Sequence, residues 1–147
     1  KATSNEKKID NHIINNFNNN IYKIKNRING YIDKNLSKFS FYLYGASTKG
    51  NIILLYLNLD NSKLKLALDV NKEKNNRFTP GSKIPIVNNI KKINLSNCIF
   101  FVNIWHFKEY ILQKERKLLK LGVKFLLPLP IPHIIFIKNK KIIKKYI

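Results

Sequence analysis

Four short β-prone runs, separated by stretches of helical spacing, constrain the fold of this chain more than any other feature. "FSFYLYG" at residues 39–45, Leu64 to Leu68 within "KLKLALDV", "NCIFFVNI" at 97–104 and "VKFLLPL" at 123–129 have the length and composition of buried strands. After the first run, Ile52, Ile53, Leu55 and Tyr56 mark the apolar side of a helix. After the third, "HFKEYILQKERKLLKLG" reads as one amphipathic helix closed by Gly122. Strand, helix, strand, long loop, strand, helix, strand is the order of a parallel α/β sheet with right-handed crossovers. Upstream, Ile9, Ile13, Phe17, Ile21, Ile24, Ile28 and Ile32 recur every three or four residues, which predicts a long helix over about residues 5–36, with a candidate break at Gly30. At the other end, "HIIFIKNKKIIKKYI" has two β-prone halves around Lys138-Asn139-Lys140, the pattern of a terminal hairpin.

At 147 residues, with 44% hydrophobic and 12% aromatic side chains, the chain can fill one compact core. Its formal charge of +20, from 28 Lys and Arg against 8 Asp and Glu, suits anionic partners: nucleic acid, an anionic membrane or phosphorylated small molecules. The abundance of Lys, Asn and Ile with no Met is also what an AT-rich coding bias produces, so part of that charge reads equally well as a solvated surface. Cys98, within an apolar run, reads as a buried thiol in a reducing compartment, and cytoplasmic location is expected. No run has the length of a membrane span. A chain that opens on Lys1 rather than Met is read as a fragment or processed product.

Three segments carry candidate chemistry, and each also has a structural reading. "YGASTKGN", Tyr44 to Asn51, is a strand-to-helix turn. Gly45 and Gly50 let backbone approach a ligand, Ser47 and Thr48 bring hydroxyls, Lys49 brings charge, and the helix start brings N–H groups. A P-loop places Lys and Ser or Thr directly after its last Gly, whereas Asn51-Ile52 follow Gly50 here. The turn suits a phosphate, or it is a tight βα turn with a hydroxyl cap. Asp69 ends the second strand, where dinucleotide folds place an acid on a ribose hydroxyl; an Asp capping the loop would look the same. In the loop that follows, Arg77 and Lys83 flank "FTPG" within reach of an anion, and Thr79-Pro80-Gly81 shapes the turn. Trp105 and His106 stand at the carboxyl end of the third strand, where Trp stacks on a ring and His exchanges a proton, or where they plug and cap the helix-sheet seam. His12 and His133 have no ligand-spaced partners for a metal, and Glu109 and Glu115 read as salt-bridge partners on a basic helix.

Taken in order, "YGASTKGN", "DVNKEKNNRFTPGSKIPIV", "WHFKEYI" and "PLP" resemble the C-terminal domain of S-adenosylmethionine-dependent sugar C-methyltransferases, over roughly residues 21–130. Lys49, Gly50, Asn51, Asp69, Asn71, Thr79, Pro80, Gly81, Pro85, Trp105, His106 and Phe107 match the family pattern, while Asn103-Ile104 replaces its usual Leu-Pro and Leu121-Gly122-Val123 its Gly-Gly. The resemblance implies an α/β fold: a Rossmann-like parallel sheet flanked by helices over residues 39–147, preceded by a helical segment at 1–38. It implies a part of a sugar-nucleotide pocket formed by Gly45, Ser47, Thr48, Lys49, Gly50, Asn51, Asp69, Asn71, Arg77, Thr79, Gly81, Trp105 and His106. It also implies a methyltransferase domain, in the same or a companion chain, that holds S-adenosylmethionine and the catalytic groups, and a zinc-binding region. Neither region is expected in this chain, which is then not catalytic alone. The competing expectation is a basic module that keeps the fold and binds nucleic acid or a larger assembly.

Overall fold

The computed structural model describes residues 11–147, so residues 5–10 of the expected first helix lie outside it. Helix α1 spans Asn11–Asn35 and runs through Gly30 without a break. Strand β1 (Ser40–Tyr44) leads into α2 (Thr48–Leu57), then β2 (Leu64–Leu68), a long loop, β3 (Ile86–Val87) and β4 (Cys98–Val102). Helices α3 (Lys108–Lys114) and α4 (Arg116–Lys120), β5 (Lys124–Leu127), β6 (His133–Lys138) and β7 (Lys141–Tyr146) complete the chain.

These strands form one seven-stranded sheet in the order β3-β2-β1-β4-β5-β6-β7. The first five in that order pair in parallel, as the sequence predicts, but β6 and β7 add antiparallel, so the sheet is mixed. The expected terminal hairpin is the cause. Asn139 and Lys140 both take positive φ, which closes a two-residue turn whose twist matches the strands. Strand β3 escapes a sequence reading because two residues carry no periodicity. It exists because Ala67 donates to the Pro85 carbonyl and Asp69 to that of Val87, beside β2.

Alternation along β1 and β4 fills two cores, as expected of strands covered on both faces. Phe41, Leu43, Ile99 and Phe101 point to one side, with Ile28 and Ile32 of α1 and Leu54 of α2. Tyr42, Tyr44 and Phe100 point to the other, with Ile111, Leu118 and Leu119 of α3 and α4. Cys98 lies in this second core, and burial pushes its thiol up to about 12, consistent with the expected buried cysteine. Among the described residues no helix is long and apolar enough to cross a membrane.

The single amphipathic helix predicted after β4 is instead a 3-10 turn (Trp105–Phe107), α3 and α4, with the break at Glu115. Glu109 pairs with Lys108, as expected of a salt-bridge partner. Among the described residues Glu115 has no basic partner within salt-bridge distance. It accepts a 2.6 Å hydrogen bond from the Tyr44 hydroxyl, which reaches through the core from β1. Burial first, and then that carboxylate, raise the Tyr44 phenol above its ordinary value. Tyr44→Phe removes the donor and leaves the partly buried carboxylate unpaired; denaturant unfolding should show a loss of about 1.5–3 kcal/mol, the range for hydrogen bonds to charged groups.

Candidate functional site

Both turns with candidate chemistry leave the sheet at the same edge, because β1 and β4 are parallel neighbours whose successors diverge, β1 towards β2 and β4 towards β5. Ligands of parallel α/β sheets gather at such a switch point. Gly45 leaves β1 at φ 86°, which lets its N–H reach the Leu68 carbonyl at 2.8 Å and its open α-carbon face receive Ile104. Ser47 caps α2: its Oγ accepts from the Gly50 N–H at 3.0 Å, so its hydroxyl hydrogen stays available. Thr48 and Lys49 are exposed on the first turn.

Gly50 has a different reason to be glycine. A Cβ there would overlap the Asn103 carboxamide, which packs directly on the α2 backbone. Asn103 is fully buried, and neither its Oδ1 nor its Nδ2 has a hydrogen-bond partner; the Asn51 Oδ1 beside it in sequence to Gly50 is likewise buried and unpaired. Asn103 on Gly50 and Ile104 on Gly45 are the two positions where the chain departs from the Leu-Pro of the family it resembles. Burial of Asn103 was not legible beforehand, since a strand-end Asn ordinarily faces water.

Asp69 braces this edge. Its Oδ2 accepts from the Ala46 N–H at 2.8 Å and the Lys74 ammonium at 3.2 Å, and its Oδ1 from the Asn71 N–H at 2.9 Å. Lys74 also donates to the Ala46 carbonyl at 2.8 Å, so carboxylate and ammonium together clamp the β1 turn to the β2 loop. Lys74 was not singled out from sequence; its one signal is a position one short turn after an acidic strand end. Asn71 caps the 3-10 turn Lys72–Lys74 by accepting from Glu73. One lone pair of Oδ1 remains for an outside donor.

The structure thus brings Gly45, Ser47, Thr48, Lys49, Gly50, Asn51, Asp69, Asn71 and Trp105 to one edge, and His106 stands exposed just beyond. Thr79 and Gly81 lie away from the start of α2. Thr79 bonds Ser82 and the Ile84 N–H through its hydroxyl, both within the loop, and Gly81, at φ 73°, rests on Leu55 in the second half of α2. At 1.5 Å per residue that is on the order of 10 Å from the helix start. Arg77 is exposed on the segment outside β3.

Two cavities flank Trp105. One, of about 620 Å³, is an apolar groove between α1 and α2, lined by Phe17, Ile21, Ile24, Ile52, Ile53 and Tyr56, and closed by Pro128–Pro130. The other, of about 550 Å³, lies between the Trp105–Tyr110 segment and the terminal hairpin. Trp105 forms a wall of both, so the stacking and seam-plugging readings meet in one side chain.

Two measurements test this edge. Gly50→Ala, which would ordinarily strengthen a helix, should instead destabilise by about 1–3 kcal/mol, as an overpacked core does. Adding Asn103→Ala should return part of that loss, because the clash partner is gone; a double-mutant cycle reads the coupling. For Asp69, burial opposes ionisation, but the Asn71 and Ala46 N–H groups and Lys74 outweigh it and hold the carboxyl below its ordinary value. Its contribution is present above the unfolded pKa of about 3.9 and is lost as pH falls through the lower folded value. Asp69→Asn should unfold more readily at neutral pH and show a flatter acid limb in thermal melts between about pH 4 and pH 2.

A family model described as the C-methyltransferase C-terminal domain matches residues 2–130, which takes in α1 and the whole carboxyl edge and stops short of the hairpin. The C-methyltransferase NovU of Streptomyces niveus is 28% identical over 92 residues, which is 63% of this chain and 22% of that protein. The chain therefore spans about a fifth of the length of this curated relative. With a match over most of its length, the chain belongs to the family of C-methyltransferase C-terminal domains.

Proposed function

We propose that this domain binds the nucleoside-diphosphate sugar on which a C-methyltransferase acts, and that methyl transfer is carried out by a further domain in the same or a companion chain. The observation that carries the reading is the coincidence of family membership with the carboxyl-edge arrangement: a capped α2 start bearing Lys49, braced by Asp69, beside Trp105 and His106 at the switch point. In this reading the sheet is a Rossmann-like half extended by a hairpin, which the parallel order β3-β2-β1-β4-β5 supports. Lys49 and the first N–H groups of α2 suit a phosphate, and Trp105 suits the face of a sugar or base.

S-adenosylmethionine and zinc belong, in this reading, to the rest of the enzyme. Among the described residues no three His, Cys, Asp or Glu side chains stand together to hold a metal ion. The companion domain has apolar surface to cover, since Phe17 and Ile52, which line the groove between α1 and α2, are both more than 60% exposed.

Calorimetric titration with a panel of nucleoside diphosphates and their sugars tests the reading. Binding is expected, and Lys49→Ala should weaken it about tenfold, the value of one charge-assisted contact. Absence of binding, or binding indifferent to Lys49→Ala, would sink it. Steeply salt-dependent binding of DNA or RNA that ignores Lys49→Ala would favour the basic-module reading instead.

A further inference from the structure

The cavity on the far side of Trp105 carries features that the carboxyl-edge reading does not use. His133, at the start of β6, is 3% exposed. Its Nδ1 lies 2.7 Å from the Ile131 carbonyl oxygen, which can only accept, so the neutral ring carries its hydrogen there. That tautomer leaves Nε2 as an acceptor, and Nε2 is buried with no partner. A buried acceptor left unpaired is costly unless a ligand or water completes it.

The groups around it are cationic and aromatic. Lys108, at the start of α3, and Lys144, on β7, line the same cavity as His133. Both, together with burial, which is the larger cause, lower its proton affinity, so the ring stays neutral and accepting. Glu109 is the carboxylate of the lining, held at 2.9 Å by Lys108; Tyr146 faces the His133 ring across β6 and β7 at 6.0 Å. Trp105 and Tyr110 supply aromatic wall. Two ammonium groups, Lys108 answered by Glu109 and Lys144 lying 4.6 Å from the centre of the Tyr146 ring, leave the lining net positive, and with one neutral acceptor it matches a phosphate that carries, or lies next to, an O–H donor. His133 and Lys144 fall outside residues 2–130, so the hairpin completes a set whose other half, Trp105 to Tyr110, belongs to the family domain.

We infer that the cavity between the Trp105–Tyr110 segment and the terminal hairpin is a second anion site, for a phosphate monoester or diphosphate group. Lys108 and Lys144 hold its charge, and a ligand hydroxyl donates to His133 Nε2. Its lining shares Trp105 and His106 with the carboxyl edge but contains no residue of the α2 turn, so the site does not require that the domain bind a sugar nucleotide.

Titration with inorganic phosphate, glucose 1-phosphate and a nucleoside-diphosphate glucose, with the His133 ring nitrogens followed by NMR, tests it. Lys144→Ala and His133→Phe should each weaken phosphate or glucose 1-phosphate binding about tenfold. His133→Phe removes the unpaired acceptor but also the Nδ1–H bond to the Ile131 carbonyl, so thermal melts of this variant and of Lys144→Ala, whose exposed side chain is not part of the core, separate a loss of binding from a loss of folding. Lys49→Ala should leave this binding unchanged. If glucose 1-phosphate binds alongside the saturating nucleotide, the site takes a separate monoester; if the nucleotide excludes it, one extended ligand reaches both sites, and either result supports the cavity. Phosphate binding that persists in Lys144→Ala and His133→Phe, with no shift at the His133 ring, would overturn the inference while leaving the sugar-nucleotide reading intact. The converse, phosphate bound through Lys144 with no nucleotide bound, would overturn that reading and keep this one.

Discussion

The pairing of β1 with a parallel neighbour on each side, β2 and β4, is the constraint on which the rest of the molecule depends. Parallel neighbours must be joined by crossovers, and crossovers put helices on both faces. With α1 and α2 over one face and α3 and α4 over the other, every side chain of β4 is buried and β1 is buried from Phe41 onward. Because β1 and β4 end at the same level, with Tyr44 opposite Val102, the chain that follows each one is delivered to one edge.

What happens at that edge follows from close approach. Gly45 and Gly50 are the places where one turn lets another in: Ile104 seats on the first and the Asn103 carboxamide on the second. Asp69 and Lys74 then close the turn from the β2 side. The edge carries a capped helix start with Lys49 exposed on it. The TPG loop has a different part: its polar groups satisfy one another, and it packs along α2 rather than at the edge.

Much of the architecture was legible because strands and helices announce themselves by spacing. Leu64–Leu68 is read directly from its apolar run, and the terminal hairpin from two β-prone halves around Asn139. The single helix after β4 was misread, since periodicity cannot register that a Tyr on a distant strand will hold Glu115 at the point where the helix breaks. The antiparallel hairpin made the sheet mixed for a similar reason: pairing direction is decided between segments and not within them.

Of the candidate site, residue types and order were open to reading; the partners were not. The sequence by itself determined that a glycine turn, an acidic strand end and a Trp-His pair would lie at carboxyl ends of parallel strands, because local spacing and crossover handedness suffice for that. Only tertiary structure decided that Asp69 spends its oxygens on Ala46, Asn71 and Lys74, that Asn103 is buried against Gly50, and that His133 keeps an unpaired nitrogen beside Lys108 and Lys144. Each of these depends on contacts between residues far apart in the chain or on burial. Neither quantity leaves a periodic trace in the order of amino acids.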